Sequence, residues 1–159
     1  MHTLHPKRPA ILALSPLALA MFMLQPTPAR AFTPTVNNGA VVDGEMVTGG
    51  QQSMGTNGTA NNTLIEVTGT QAVFQHGVSN DATVNGRQLV QSGTSNRAVV
   101  NVGGSQVVSA GGIANGTVLN GGTQTVQTPN SRANGTVINS GGVQTLTLGA
   151  SAADTVIND

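Results

Sequence analysis

Cysteine, tryptophan and tyrosine are absent, phenylalanine occurs three times, and charged residues make up 8% of the 159-residue chain. No disulfide framework can hold this protein together, and without cysteine a zinc site is improbable. With so few aromatics an ordinary globular core is short of the side chains that supply most buried area. His76 is the only histidine after residue 31, so no metal cluster can be built around it. Residues 32–159 carry Arg87, Arg97 and Arg132 against Asp43, Glu45, Glu66, Asp81, Asp154 and Asp159, a net charge of −3. That part has no basic stripe, and nucleic-acid binding loses its electrostatic basis.

The N-terminus reads as a secretory signal peptide over residues 1–31. His2, His5, Lys7 and Arg8 precede an apolar run from Ala10 to Leu24, and Ala29-Arg30-Ala31 places small residues at a cleavage site. The run is shorter than the roughly 20 residues of a membrane span, and Pro16 interrupts it. A retained membrane anchor is the alternative reading. The expected location is outside the inner membrane: periplasm, cell surface or extracellular space.

What is present in abundance is repetition. ANGTVLNGGTQTV is followed by ANGTVINSGGVQTL and then by ADTVIND. Asn101, Asn120, Asn139 and Asn158 close successive TVxN phrases at a constant spacing of 19 residues, and Glu66 stands 19 before Asn85. The step from Asn85 to Asn101 is 16, so one rung has lost residues from its turns. A fixed period of this length means a solenoid whose units bury their apolar sides only against neighbours. The fold class is therefore all-β, a parallel β-helix of about six 19-residue rungs over residues 47–159, behind an irregular cap at residues 32–46 that leads into a first strand at Ala40 to Asp43. Disorder, suggested by the Asn-, Gly-, Ser- and Thr-rich composition, does not explain the regular Val, Ile and Leu positions. An antiparallel sandwich, suggested by Asn85-Gly86 and Asn120-Gly121, does not explain the period.

Each unit shows two strand-like phrases, such as Thr136-Val137-Ile138-Asn139 and Gln144-Thr145-Leu146, separated by paired glycines such as Gly103-Gly104, Gly121-Gly122 and Gly141-Gly142. Positive φ at a tight corner accounts for the glycines. The remaining link, for example Gly111 to Gly116, varies in length and reads as an outer loop. Two aliphatic columns precede the Asn position, one of Leu64, Thr83, Val99, Val118, Val137 and Val156, the other of Ile65, Val84, Val100, Leu119, Ile138 and Ile157. Alternation puts them on opposite faces, and spacing leaves open which is inside. Gln71, Gln88, Gln106, Gln124 and Gln144 share a face with Val73, Val90, Val108, Val126 and Leu146. If those aliphatics are inside, the glutamines are too, and stacked amides then bond from rung to rung. The Asn and Gln columns accordingly read as structural ladders rather than ligand sites.

GTVLNGGTQTV and GTVINSGGVQTL resemble the repeats of AIDA-type autotransporter adhesin passengers of Gram-negative bacteria, over roughly Val47 to Asp159. The resemblance implies a right-handed parallel β-helix that is exported and serves attachment, self-association or biofilm formation. It implies as partners further copies, or surface glycans and proteins. It also implies a glycosyltransferase acting on loop hydroxyls, with Ser92, Thr94, Ser95, Thr128, Ser131 and Ser151 as candidate acceptors. Family members end in a C-terminal β-barrel that residues up to Asp159 do not supply, so a truncated or fragmentary product is expected.

No catalytic, cofactor-binding or metal-binding residue is expected, and no cofactor. Asp81 and Asp154 hold the same repeat place four rungs apart, about 19 Å at ~4.8 Å per rung, too far for a glycosidase pair at roughly 5 to 9.5 Å. Asp43 and Glu45 read as solvated decoration. GGxGxD calcium repeats are missing, and the Asn-x-Thr triplets at Asn57, Asn61, Asn115 and Asn134 read as chance products of composition. Only Thr123/Thr125 completes the Thr-x-Thr pattern of an ice-binding face. The enzymatic alternative is a fragment of a secreted polysaccharide-acting β-helix. The non-enzymatic reading places function on the outer neighbours of the glutamines, Ala72, Leu89, Val107, Thr125 and Thr145.

Overall fold

A computed structural model describes residues 32–158; the expected signal peptide lies outside the described residues. Among the described residues every regular element is a strand. Three seven-stranded sheets form, and within them all strand pairings between successive rungs are parallel. Chain order visits the three sheets in turn, so each circuit adds one strand to each: a parallel β-helix with six stacking steps.

The first sheet, which we term the glutamine sheet, runs from Thr35–Val36 to Val143–Leu146. The asparagine sheet runs from Val41–Asp43 to Ser151–Ala153. The valine sheet runs from Met46–Val47 to Val156–Ile157. The asparagine sheet corrects the two-strand reading of each unit: the link at Gly111–Gly116 holds a regular strand, Ile113–Asn115, paired on both sides. Its short length and mixed composition hid it. The first strand expected at Ala40 to Asp43 is present as Val41–Asp43, and within the stretch expected to be irregular Thr35–Val36 adds a further strand to the first rung.

The open question of the aliphatic columns is decided by burial. Ile65, Val84, Val100 and Leu119 are inside, while Leu64, Val99 and Val118 form a half-buried column on the outer face. Inward side chains of the asparagine sheet are small, namely Ala60, Ser79, Ser95, Ala114 and Ala133, because three walls converge on a narrow interior. Val73, Val90, Val108 and Val126 fill it from the glutamine sheet, as the period-two reading required.

Between the asparagine and valine sheets the chain turns on a single left-handed residue, at Gly44, Asn62, Asp81, Arg97, Gly116, Gly135 and Asp154, with φ between +52° and +64°. The 16-residue step keeps strand register with both neighbours, so its missing residues come from turns. Each glycine pair divides two tasks. Gly103 has φ +82° and open space beyond its Cα, whereas a Cβ on Gly104 would lie 2.2 Å from the Val84 carbonyl oxygen of the rung beneath. Positive φ thus explains the first glycine, and close stacking explains the second. Gly103→Ala should cost about 1 kcal/mol in backbone strain, and Gly104→Ala about 3 kcal/mol or more through the clash with backbone. Urea unfolding of the two variants checks that order.

Candidate functional site

Among the described residues there is no pocket and no cluster of three metal-ligating side chains. The polar chemistry of the chain is arranged instead in columns. Gln52, Gln71, Gln88, Gln106 and Gln124 are completely buried. Each Nε2 donates to the Oε1 of the rung before it: Gln71 to Gln52 at 2.9 Å, Gln88 to Gln71 at 2.8 Å, Gln106 to Gln88 at 2.7 Å, Gln124 to Gln106 at 2.6 Å and Gln144 to Gln124 at 2.7 Å. The anticipated glutamine ladder is present, with Gln52 as a further member, and every N–H of it points toward the N-terminal end.

Each of five Oε1 atoms also accepts one hydroxyl, and the source switches once along the ladder. Ser79 and Ser95 of the asparagine sheet donate to Gln71 and Gln88, whose rungs carry Ala82 and Ala98 at the corner. Thr117, Thr136 and Thr155 at that corner donate to Gln106, Gln124 and Gln144, whose rungs carry Ala114, Ala133 and Ala152 in the sheet. One hydroxyl per rung is what the second lone pair needs. Thr63 Oγ1 is the one buried side-chain polar atom without a partner among the described residues.

The asparagines also bond rung to rung, in two columns. The anticipated one joins Asn101 to Asn85, Asn139 to Asn120 and Asn158 to Asn139. It breaks between Asn101 and Asn120, where the following turn shortens by one residue and Val102 lies beneath Gly121. A second ladder was missed: Asn80, Asn96, Asn115 and Asn134 donate successively from Asn61 upward at 2.9 to 3.0 Å. Its signal was available, since these residues keep the same 16- and 19-residue steps as the TVxN asparagines. It also explains the triplets at Asn61, Asn115 and Asn134, read above as accidents of composition: ladder amide, left-handed corner, buried threonine.

The carboxylates fall into different roles from those expected. Glu45 is not solvated decoration; it is buried, and accepts from Gln52 Nε2 at 2.6 Å, Thr33 Oγ1 at 2.7 Å and Thr33 N at 2.9 Å. Asp43 does face solvent and accepts from Asn62 at 2.8 Å. The left-handed Gly44 between them turns the two acids to opposite faces. Asp81 and Asp154 remain four rungs apart, as the stacking reading required. Asp81 forms a two-pronged pair with Arg97 of the next rung, both contacts 2.7 Å. The hydrogen bonds from Arg97 hold the Asp81 carboxyl below its usual range.

Of the candidate hydroxyl acceptors, Ser95 and Ser131 are fully buried and bonded in the interior, which removes them. Thr128 is half-buried, accepting from the Ala110 amide. Ser92, Thr94 and Ser151 keep access to solvent. The outer stripe is in register: Ala72, Leu89, Val107, Thr125 and Thr145 stack rung upon rung. Ala72 is 6% exposed and contributes little surface; Leu89 and Val107 are half-buried and Thr145 is exposed.

A solved structure shares this architecture. The chain is similar to a fragment of TibA. The structure in question is of TibC-catalysed hyper-glycosylated TibA, at 27% identity and a TM-score of 0.66, the match covering 78% of this chain and 53% of the TibA fragment. The chain thus spans about half the length of the TibA fragment it matches. No family model matches the chain, and no curated protein matches it. The protein is a β-helix similar to that of the TibA fragment, and its three continuous outer faces are the surface on which function is to be sought.

Two predictions follow from these columns. Ser95→Ala should lower stability by about 1–2 kcal/mol by leaving Gln88 Oε1 short of a donor, and Ala98→Thr in the same chain should restore most of the loss, as read by thermal unfolding. Asp81 titrates lower folded than unfolded, so its contribution is present above the unfolded value of about 3.9 and is lost as pH falls through the folded one. Asp81→Asn should therefore lose less stability than the parent between about pH 6 and pH 2. Melting curves at the two pH values decide it.

Proposed function

We propose that this chain is a non-enzymatic adhesin-type passenger, acting outside the inner membrane in attachment or self-association through its lateral surface. The observation that carries the reading is the in-register outer column through Leu89 and Val107, on a β-helix similar to the TibA fragment. Parallel stacking repeats each outer side chain at ~4.8 Å, so weak contacts recur along a straight line and sum to avidity. Aliphatic residues at Leu89 and Val107, flanked by Arg87, Ser105, Thr123 and Thr125, give a mildly apolar strip with a single cation at its margin, suited to another copy or to a surface glycan or protein.

TibA in the matched structure is glycosylated by TibC. By analogy, a glycosyltransferase acts on this chain at accessible hydroxyls, with Ser92, Thr94, Thr128 and Ser151 the surviving candidates. Modification there decorates the rim and leaves the buried hydroxyls of the glutamine ladder untouched.

Leu89→Lys with Val107→Lys places two cations on adjacent rungs of the strip without entering the core. Cells displaying the variant should clump and sediment more slowly than cells displaying the parent at equal surface level. Unchanged sedimentation with an unchanged circular dichroism spectrum would rule out this strip.

A further inference from the structure

We propose that Asn120-Gly121 is a self-modification site, where the folded chain converts an amide of its outer face into a carboxylate by spontaneous deamidation. Asparagine is among the chemically labile residues. Six Asn-Gly steps lie in the described residues, at Asn38, Asn57, Asn85, Asn115, Asn120 and Asn134. In such a step the glycine nitrogen attacks the asparagine Cγ, and the missing Cβ leaves the backbone free to turn toward it. A hydrogen bond that holds the glycine N–H must first be broken, so the fold decides which steps react.

Four of the six glycine N–H groups are held by carbonyls: Gly58 by Gly55 at 2.8 Å, Gly86 by Ile65 at 3.1 Å, Gly116 by Asn134 at 2.7 Å and Gly135 by Ala153 at 2.9 Å. Gly39 and Gly121 donate to none. Asn38 lies in the first rung, against residues outside the described ones, whereas Asn120 ends strand Val118–Asn120, which is paired on both sides. The free N–H of Gly121 has a local cause. The turns after Glu66, Asn101 and Asn139 each close with a 2.8 Å bond to the first carbonyl, from Gly69, Gly104 and Gly142. After Asn120 the turn is one residue shorter and no such bond forms. The same shortening breaks the amide ladder. Asn120 is exposed, its Nδ2 reaches no acceptor, and its side chain is held only by the 2.6 Å bond that Oδ1 accepts from Asn139.

Asn85 is a control built into the same chain. Its Oδ1 also accepts a single amide, from Asn101 at 2.9 Å, and its Nδ2 also has no acceptor. What differs is the glycine: Gly86 is buried with its N–H bonded to Ile65, while Gly121 is half-buried with its N–H free. In the reaction Gly121 N gives up its proton to solvent and bonds to Cγ, the Cγ–Nδ2 bond breaks, and ammonia leaves. Water then opens the cyclic imide, at Cγ to give aspartate or at the main-chain carbonyl to give isoaspartate. One water is consumed, one ammonia is released, and nothing is oxidised. The aspartate keeps the ladder, because Asn139 Nδ2 then donates to a carboxylate in a stronger bond. It also adds a negative charge to the outer face, next to the exposed Val102 beneath Gly121. Isoaspartate adds a main-chain carbon to a turn already packed so closely that a Cβ on Gly122 would lie 2.6 Å from the Asn101 carbonyl oxygen.

This chemistry is independent of any adhesive role of the strip through Leu89. The purified protein is incubated at mildly alkaline pH, folded in one series and in concentrated urea in another, and conversion at each asparagine is followed by peptide mapping with mass spectrometry. Asn120→Asp supplies the reference for the aspartate product. In the folded protein Asn120 should convert about tenfold faster than Asn85, Asn115 and Asn134, the factor expected from one hydrogen bond that need not be broken. In urea the four rates should come together, since every one of these glycines is then free. Conversion of folded Asn120 no faster than that of Asn85 overturns the proposal. So does a gap of the same size in urea, which would place the difference in the local sequence instead of the fold.

Discussion

The rest of the structure depends on a row of primary amides held away from water. Five glutamines lie completely buried among valine, alanine, a few larger aliphatics and a small number of buried serine and threonine hydroxyls. An amide left unpaired there costs about 1–3 kcal/mol, so the ladder tolerates no lateral slip between rungs. Identity of residue type from one rung to the next is thus an energetic requirement: an amide donates down, accepts from above, and needs one hydroxyl at its side. The exchange between serine in the sheet and threonine at the corner shows the requirement met by two routes in one chain. It also limits neighbouring volume, because the rung that supplies serine keeps alanine at the corner and the rung that supplies threonine keeps alanine in the sheet.

Corners absorb what the sheets cannot. Strand register is unbroken through the shortened rung because residues are lost only where the backbone faces outward. The asparagine-to-valine corner never varies in length, since one left-handed residue is all that separates an outward ladder amide from an inward corner side chain. Aspartate and arginine fill that corner at Asp81 and Arg97 in place of glycine, and their side chains, stacked by the rung repeat, meet as an ion pair. Being open to solvent, that pair tunes the acid limb of stability more than it anchors the fold.

For function, the described residues offer the flanks of the solenoid. Similarity to the TibA fragment supports the β-helix architecture, and the geometry supplies rows of like side chains at fixed spacing, with aliphatic columns on the outer faces of the glutamine and valine sheets and asparagine ladders beside them. Flanks repeat and can act by number.

The sequence by itself determined the period, the parallel stacking and the membership of the glutamine column, because identical residues at a constant interval are informative only if they are neighbours in space. It did not determine the third strand of each rung, the direction of the aliphatic columns, or the fates of Glu45, Ser95 and Ser131. The cause is common to all of these. A left-handed corner residue leaves two consecutive side chains, such as Asn96 and Arg97, both outside, and so breaks the alternation by which inside and outside are read along a strand. Only the closed circuit of three sheets fixes where that parity resets, and with it which polar groups are sealed within and which remain on the surface.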